Sequence, residues 1–142
     1  MSINQEQDEI IADFEYLTNW DDKYEYIISL SKELPLISEE YKKEENLIKG
    51  CQSRVWLHAD YRDGKLFFTA DSDAIITKGL VSMIIKVLNA QTPGDIVAAE
   101  IYFIDAIGLR SHLSPTRSNG LLSMLKQIKL YALAYQAKSV QS

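Results

Sequence analysis

The segment LIKGCQSRVWL at residues 47–57 contains Cys51, the single cysteine of the 142-residue chain. One thiol cannot form an internal disulfide, and it supplies too few ligands for a metal site. Gly50 precedes it, and glycine lets a loop turn tightly and present the next side chain. Lys49 and Arg54 flank it, and nearby positive charge favours the reactive thiolate. Cys51 is therefore either a loop nucleophile or an inert packed residue, and the residues alone leave both interpretations open.

Two histidines and two aspartates are the other candidates for chemistry. A cysteine hydrolase would need His58, on a predicted strand, or His112, in a predicted loop, as its base. Nothing in the spacing places either histidine beside Cys51. Asp71 and Asp73 are of the residue types that bind metals, but they directly precede a predicted helix, where carboxylates stabilise the first turn. We therefore predict that Ser72 or Asp71 caps this helix, that Asp73 stabilises its first turn, and that the chain holds no metal.

Composition restricts the class of protein. With 46% hydrophobic residues, the sequence fits a single compact domain over residues 1–142. No apolar run approaches the roughly 18 residues of a membrane span, and the N-terminus lacks the basic and apolar start of a secretory signal. One cysteine and no export signal together predict a cytoplasmic protein with a free thiol.

The charge is unevenly distributed along the chain. The net charge of −5 argues against nucleic acid as the main partner, because phosphate binding needs a basic surface. Residues 1–45 nevertheless carry −9, whereas residues 46–142 carry +4. The basic side chains of the last third form either an ordinary solvated surface or a weakly basic face for an acidic protein partner.

A β-hairpin is predicted in the middle of the chain. Apolar and polar side chains alternate from Val55 to Tyr61, which is the pattern of a half-buried strand. RDGK at 62–65 contains an Asp-Gly turn signal, and LFFTA at 66–70 is predicted to return as the second strand. The polar segment 35–50 is predicted to be a loop with a short strand near its end, at Leu47.

Helical spacing and capping signals predict several helices around this hairpin. They are expected at residues 6–17, between the N-cap Asn19 and Pro35, between Ser72 and Leu88, after Thr92, before Gly108, and after Ser114. The helix between Ser72 and Leu88 is apolar on nearly every side, so we expect it to cross the back of the sheet as the core helix. One hairpin and several helices predict an α+β fold.

Several segments resemble the motifs of the SufE family of sulfur-acceptor proteins. They are KGCQSRVWL at 49–57, DSDAIITKGLVSMI at 71–84 and HLSPTRSNGLLSM at 112–124, and residues 17–35 resemble the family's N-terminal helix. The similarity covers about residues 10–135 in the same order. It implies a fold related to the iron–sulfur cluster scaffold proteins, with an antiparallel sheet of about three strands flanked by helices.

The resemblance also implies a function. Cys51 would take sulfur as a persulfide from a SufS-like cysteine desulfurase, stimulate that pyridoxal phosphate enzyme, and pass the sulfur to a downstream cluster scaffold. This thiol exchange needs an accessible thiolate but no cofactor on the acceptor, which is not an enzyme by itself. Asp73 and Arg117 belong to the matching motifs. Arg117 would stabilise the thiolate, dock the desulfurase or buttress the loop, and Asp73 is its candidate partner within the chain.

A persulfide in water is open to reductants and other thiols, so we expect the free protein to cover Cys51 partly. Leu47, Ile48 and Val55 would form an apolar wall around it, and Gly50 would be the hinge that lets a partner draw the loop outward. Three alternatives remain, namely a paralogous acceptor that serves another desulfurase, a cysteine-dependent hydrolase, and an interaction module with an inert cysteine. The sequence leaves open whether the protein is a monomer or a homodimer.

Overall fold

The computed structural model describes residues 2–51 and 53–141, with side chains up to residue 138. Helices surround one β-hairpin in the described part, so the fold is α+β as predicted. The elements are α1 Ile3–Glu15, α2 Trp20–Leu30, β1 Val55–Arg62, β2 Lys65–Ser72, α3 Ile75–Leu88, α4 Pro93–Ala98, α5 Phe103–Ala106, α6 Leu109–His112 and α7 Pro115–Gln141. None of the described helices has the length and apolar character that a membrane span requires.

The hairpin has the predicted position and turn. β1 and β2 are antiparallel, and their register runs from Val55 opposite Ser72 to Arg62 opposite Lys65. The turn between them consists of Asp63 and Gly64, which take φ angles of 53° and 78°. A two-residue hairpin turn of this hand requires positive φ at both central positions, and the Asp-Gly pair supplies it.

The sheet has two strands within the described residues, whereas about three were expected. The preceding segment adds one isolated bridge to each edge, from Leu47 to Trp56 and from Leu36 to Ala70. Short 3₁₀ turns at Glu39–Tyr41 and Glu44–Asn46 interrupt this segment, so it does not run extended along either strand. The strand predicted near Leu47 is therefore a single bridge, which lies next to the loop that carries Cys51.

α3 is the core helix, as its composition predicted. Ten of its 14 residues are buried, and it packs against α2 on one side and β2 on another. The contact with α2 is close at Gly79, where an added Cβ would overlap the backbone carbonyl oxygen of Ile27. Since a backbone atom cannot rotate away as a side chain can, this pair fixes the distance between the two helices.

Three helix starts follow the predicted local capping signals. The side-chain oxygens of Asn19, Thr92 and Ser114 each accept a hydrogen bond from the backbone N–H three residues later. α1 begins at Ile3 rather than at residue 6, because Ser2 and Gln5 form a capping box that the sequence analysis missed.

Candidate functional site

Cys51 lies in a loop between Ile48 and Val55, called here the Cys51 loop. The Ile48 N–H donates to the Val55 carbonyl oxygen at 2.8 Å and closes the base of the loop. At its end, the Arg54 N–H donates to Asp73 Oδ1 at 3.0 Å, and the Asp73 N–H donates back to the Arg54 carbonyl oxygen at 3.3 Å. The loop is therefore held firmly at its base, on the sheet and on the segment that leads into α3.

The predicted helix-capping role of Asp71 and Asp73 is wrong. α3 begins at Ile75 with Ala74 as its N-cap, and no side chain caps it. Asp73 holds the Cys51 loop instead. Asp71 forms ion pairs with two lysine side chains, at 2.8 Å and 3.3 Å from their ammonium nitrogens, which belong to Lys42 and Lys78. Both carboxylates bind groups that lie outside their own turn, namely two lysine ammonium groups and the Arg54 N–H. A local capping pattern contains no information about such distant partners.

At the other side of the loop, Cys51 rests on the second turn of α7. Its Sγ lies 3.7 Å from the carbonyl oxygen of Gly120, to which the thiol donates a weak hydrogen bond. Gly50 has a φ of 90°, which side-chain-bearing residues rarely adopt, and a Cβ there would lie 3.0 Å from Ser123 Oγ. The structure therefore places a glycine at two points where the loop approaches α7.

A small cavity of about 20 Å³ lies beside the thiol. Its wall is mainly apolar and comes from β1, α3 and α7, with Val55, Leu80, Val81, Leu121 and Met124 among the lining residues. A volume of this size has room for about one atom the size of a water molecule. The Cys51 side chain is partly buried against this wall, in keeping with the expected shelter.

The composition of the wall differs from the prediction, because only Val55 of the three proposed residues lines the cavity. Leu47 and Ile48 line a separate and larger groove, together with Lys49 and residues of α7. Proximity in sequence was the only basis for the prediction. The base of the loop turns these two side chains toward the other face of α7.

Burial raises the pKa of the Cys51 thiol, because a thiolate in this position loses solvation. The positive charges of Lys49 and Arg54 predicted the opposite effect, a lowered pKa of the thiol. Both residues are exposed to solvent, so neither offsets the loss of solvation at the sulfur. The thiol of the free protein is therefore mostly protonated at neutral pH.

Arg117 lies in the first turn of α7 and lines the cavity together with Cys51. Its Nε is buried and has no hydrogen-bond partner among the described residues. The ion pair with Asp73 that the sequence suggested does not form within the described part of the chain, since Asp73 binds the Arg54 backbone. A buried N–H without an acceptor lowers the stability of the folded protein. The Arg117 Nε is therefore an unusual group to find beside the thiol.

Neither histidine lies at this cavity. The ring of His58 stacks on Tyr41 at 3.8 Å between centroids, and its Nε2 is 3.2 Å from Asp60 Oδ1. The ring of His112 stacks on Trp20 at 3.7 Å. The cysteine–histidine pair of a hydrolase is thus not formed among the described residues. In that same part of the chain, no group of three or more His, Cys, Asp or Glu side chains could hold a metal ion.

Gly120 is the residue of this site that the sequence analysis overlooked. A signal was present, because glycine in the interior of a helix costs about 1 kcal/mol relative to alanine and often has a packing or functional reason. What the glycine accommodates is Cys51, which lies 69 positions earlier in the chain.

Comparison with known proteins gives a consistent result. The family model "SufE: Fe-S metabolism associated domain" matches residues 8–132. An uncharacterized SufE-like protein of Rhizobium meliloti is 43% identical over 132 residues, which cover 86% of this chain and 91% of that protein. A second one, from Rhizobium etli, is 41% identical over 127 residues, covering 86% of each chain.

A similar fold is found in a solved structure. The solution structure of a hypothetical protein from Thermus thermophilus aligns with a TM-score of 0.76, covering 96% of this chain and 97% of that one. The sequence identity is 18%, so this likeness concerns the fold alone.

Proposed function

Because the chain belongs to the SufE family, whose domain is associated with Fe–S metabolism, we propose that it accepts sulfur from a cysteine desulfurase and carries it as a persulfide on Cys51. The observation that carries this proposal is the placement of Cys51. The only thiol of the chain is partly buried beside an apolar cavity, in a loop held at its base. Such a position suits a sulfur atom that must be kept from water and then passed on.

The reaction is a thiol exchange at sulfur. The Cys51 thiolate attacks the outer sulfur of a persulfide on the desulfurase. The sulfur–sulfur bond of the donor breaks, a new one forms at Cys51 Sγ, and the donor cysteine leaves as a thiolate. The proton lost by Cys51 goes to solvent or to this leaving group. The exchange involves no net oxidation or reduction, so one thiol suffices on the acceptor.

The buried thiol must be exposed before this exchange. In the free protein burial raises the pKa of Cys51 and keeps it protonated, and the sulfur faces α7 rather than a partner. The desulfurase therefore has to draw the tip of the loop outward, with Gly50 as the hinge. Iodoacetamide should label Cys51 slowly in the free protein and faster in the complex. Equal rates, with complex formation confirmed by another method, would contradict a moving loop.

The wider role follows from the family. The acceptor would stimulate a cytoplasmic cysteine desulfurase without being an enzyme alone, and it would pass sulfur to a downstream scaffold for iron–sulfur cluster assembly. A paralogous branch that serves another desulfurase shares the motifs, so the partner is best identified by testing each desulfurase of the organism. The hydrolase alternative lacks support, because both histidines stack on aromatic rings away from the cavity.

The decisive experiment is sulfur transfer in a purified system. Incubation with a cysteine desulfurase, pyridoxal phosphate and L-cysteine should add one sulfur atom to the Cys51 peptide, detected by mass spectrometry and removed by dithiothreitol. Cys51→Ser should abolish the adduct while the thermal unfolding curve stays nearly unchanged, since the hydroxyl is close in size to the thiol. No adduct with any desulfurase of the organism would refute the acceptor role.

A further inference from the structure

Gly120 lies in the interior of α7, where glycine weakens a helix relative to alanine. A special backbone conformation does not explain its presence, because Gly120 is not among the residues of positive φ. The residue is buried, and the atoms nearest to its missing side chain belong to Cys51. The reason for glycine at this position is therefore found in the contact that it makes.

That contact leaves too little room for a side chain unless a neighbouring atom shifts by a few tenths of an ångström. A Cβ added to Gly120 would lie 3.3 Å from both Sγ and Cα of Cys51, and 3.6 Å from its Cβ. Carbon atoms in good contact are about 3.5–4.0 Å apart, so either the helix or the loop would have to move. The helix is fixed by Leu121 and Met124, which are buried in the core beside Gly120. The loop would move.

The loop is able to move only at its tip. Its two ends are held by the Ile48–Val55 and Arg54–Asp73 hydrogen bonds, and neither involves α7. Against α7 the tip has the weak thiol hydrogen bond to the Gly120 carbonyl oxygen and the close approach of Gly50 to Ser123. A methyl group at position 120 would act on the cysteine without disturbing the base of the loop.

We propose that Gly120 is a positioning residue for sulfur transfer, whose missing side chain and carbonyl oxygen keep Cys51 in its sheltered position until a partner draws it out. The contact itself is independent of the partner, whereas its purpose rests on the proposed function. In this arrangement α7 restrains the thiol until the loop moves. The thiol is kept unreactive by contact with a helix and is released by loss of that contact.

The test is the rate of Cys51 alkylation by iodoacetamide as a function of pH, measured on Gly120→Ala without any desulfurase. The displaced thiol should react about tenfold faster at neutral pH, and the midpoint of its pH profile should shift downward, by about one unit for a tenfold change. Addition of the desulfurase should accelerate the variant less than the wild type, because its loop is already displaced.

Gly94→Ala is the matched control, since its Cβ would meet only Gln136 Nε2, at 3.5 Å, and Gly94 also lies in a helix. Its alkylation rate and pH profile should equal those of the wild type. The melting temperature gives a second measure if Gly120→Ala folds poorly. The same substitution should then be less harmful in a Cys51→Ala background, where the sulfur atom that it meets is gone.

Two outcomes separate this inference from the proposed function. A folded Gly120→Ala protein with the alkylation rate and pH midpoint of the wild type would overturn the positioning role and leave the acceptor role intact. Faster alkylation of the variant, together with no sulfur transfer to the wild type from any desulfurase, would keep the contact and refute the acceptor role.

Discussion

Two helices of this protein each contain a buried glycine at a close contact, and the contacts differ in what lies opposite. Gly79 of α3 faces the backbone of Ile27 in α2, between two helices of the core. Gly120 of α7 faces Cys51, in a loop that is held by hydrogen bonds at its base and makes a weak thiol hydrogen bond to α7. At Gly79 neither backbone can move apart without separating α2 from α3. At Gly120 the loop can yield while the fold remains.

A close contact alone does not distinguish a structural glycine from one beside the candidate site. Ile27 is fully buried, whereas Cys51 is partly exposed beside a small cavity. Substitution of the two glycines should therefore change different properties. Gly79 should control the free energy of unfolding, and Gly120 should control the reactivity of one thiol.

Gly79→Ala should have the largest effect. The added Cβ overlaps a carbonyl oxygen, so α2 and α3 must separate, and the free energy of unfolding should fall by about 3 kcal/mol or more. Urea denaturation measures this, and Gly94→Ala should stay within about 0.5 kcal/mol of the wild type. A Gly79→Ala protein as stable as the wild type would remove the contrast with Gly120.

Asp71, near the base of the Cys51 loop, makes a pH-dependent contribution to the free energy of unfolding. Burial alone would raise the pKa of Asp71, but hydrogen bonds from Lys42, the Ser72 N–H and Lys78 together lower it below its ordinary value. A lowered folded-state pKa stabilises the protein at pH values above the unfolded pKa of about 3.9, and this stability is lost as pH falls through the folded-state value.

Asp71→Asn should therefore cost about 1 kcal/mol at neutral pH, and its unfolding free energy should converge with that of the wild type in acid. Urea denaturation at a series of pH values from 7 to 3 measures this. Asp105→Asn is the control, because the Asp105–Arg110 pair is 3.2 Å long but more than half exposed at both side chains. A constant difference at every pH would show that the charge of Asp71 is not the cause.

Asp73→Ala should have a smaller effect on stability and a visible effect on the loop. It removes the acceptor of the Arg54 N–H in an exposed position, so the cost should be about 0.5 kcal/mol. With one end of the loop freed, alkylation of Cys51 should become faster. Asp73→Asn keeps an acceptor oxygen and should resemble the wild type. If both variants react alike, the hydrogen bond does not hold the loop.

Arg117→Lys should hardly change stability, because its Nε has no partner among the described residues. We expect the melting temperature to move by less than about 2 °C, while sulfur transfer falls several-fold, since lysine cannot reproduce the fork geometry of a guanidinium. Arg110→Lys, on the surface, should change neither. A Tm loss of several degrees with normal transfer would make Arg117 a scaffold residue and remove it from the site.

The predictions from sequence succeeded mostly where the partners were close neighbours in the chain, although the Ser2–Gln5 capping box was missed. The hairpin follows from Asp63 and Gly64, and the caps at Asn19, Thr92 and Ser114 each bind a backbone N–H three residues later. Such interactions form within one turn, so a short stretch of sequence contains all of the participating groups.

The predictions failed where the partners were distant. Asp71 and Asp73 were expected to cap α3 but bind Lys42 and the Arg54 backbone instead. The positive charge of Arg54 was expected to lower the pKa of the thiol, whereas burial raises it. A side chain has several possible partners of similar strength, and the assembled fold decides which one it meets.

The residues alone predicted the α+β fold, the hairpin and the presence of one thiol in a segment that resembles the SufE motif. These features depend on local turn and capping chemistry and on the types of residues along the chain. The position of this thiol against α7 depends on the assembled fold. The approach of Cys51 to Gly120, the cavity beside it and the rise in its pKa exist because residues far apart in the chain exclude water together. Desolvation is a property of that assembled environment, and no single segment contains it.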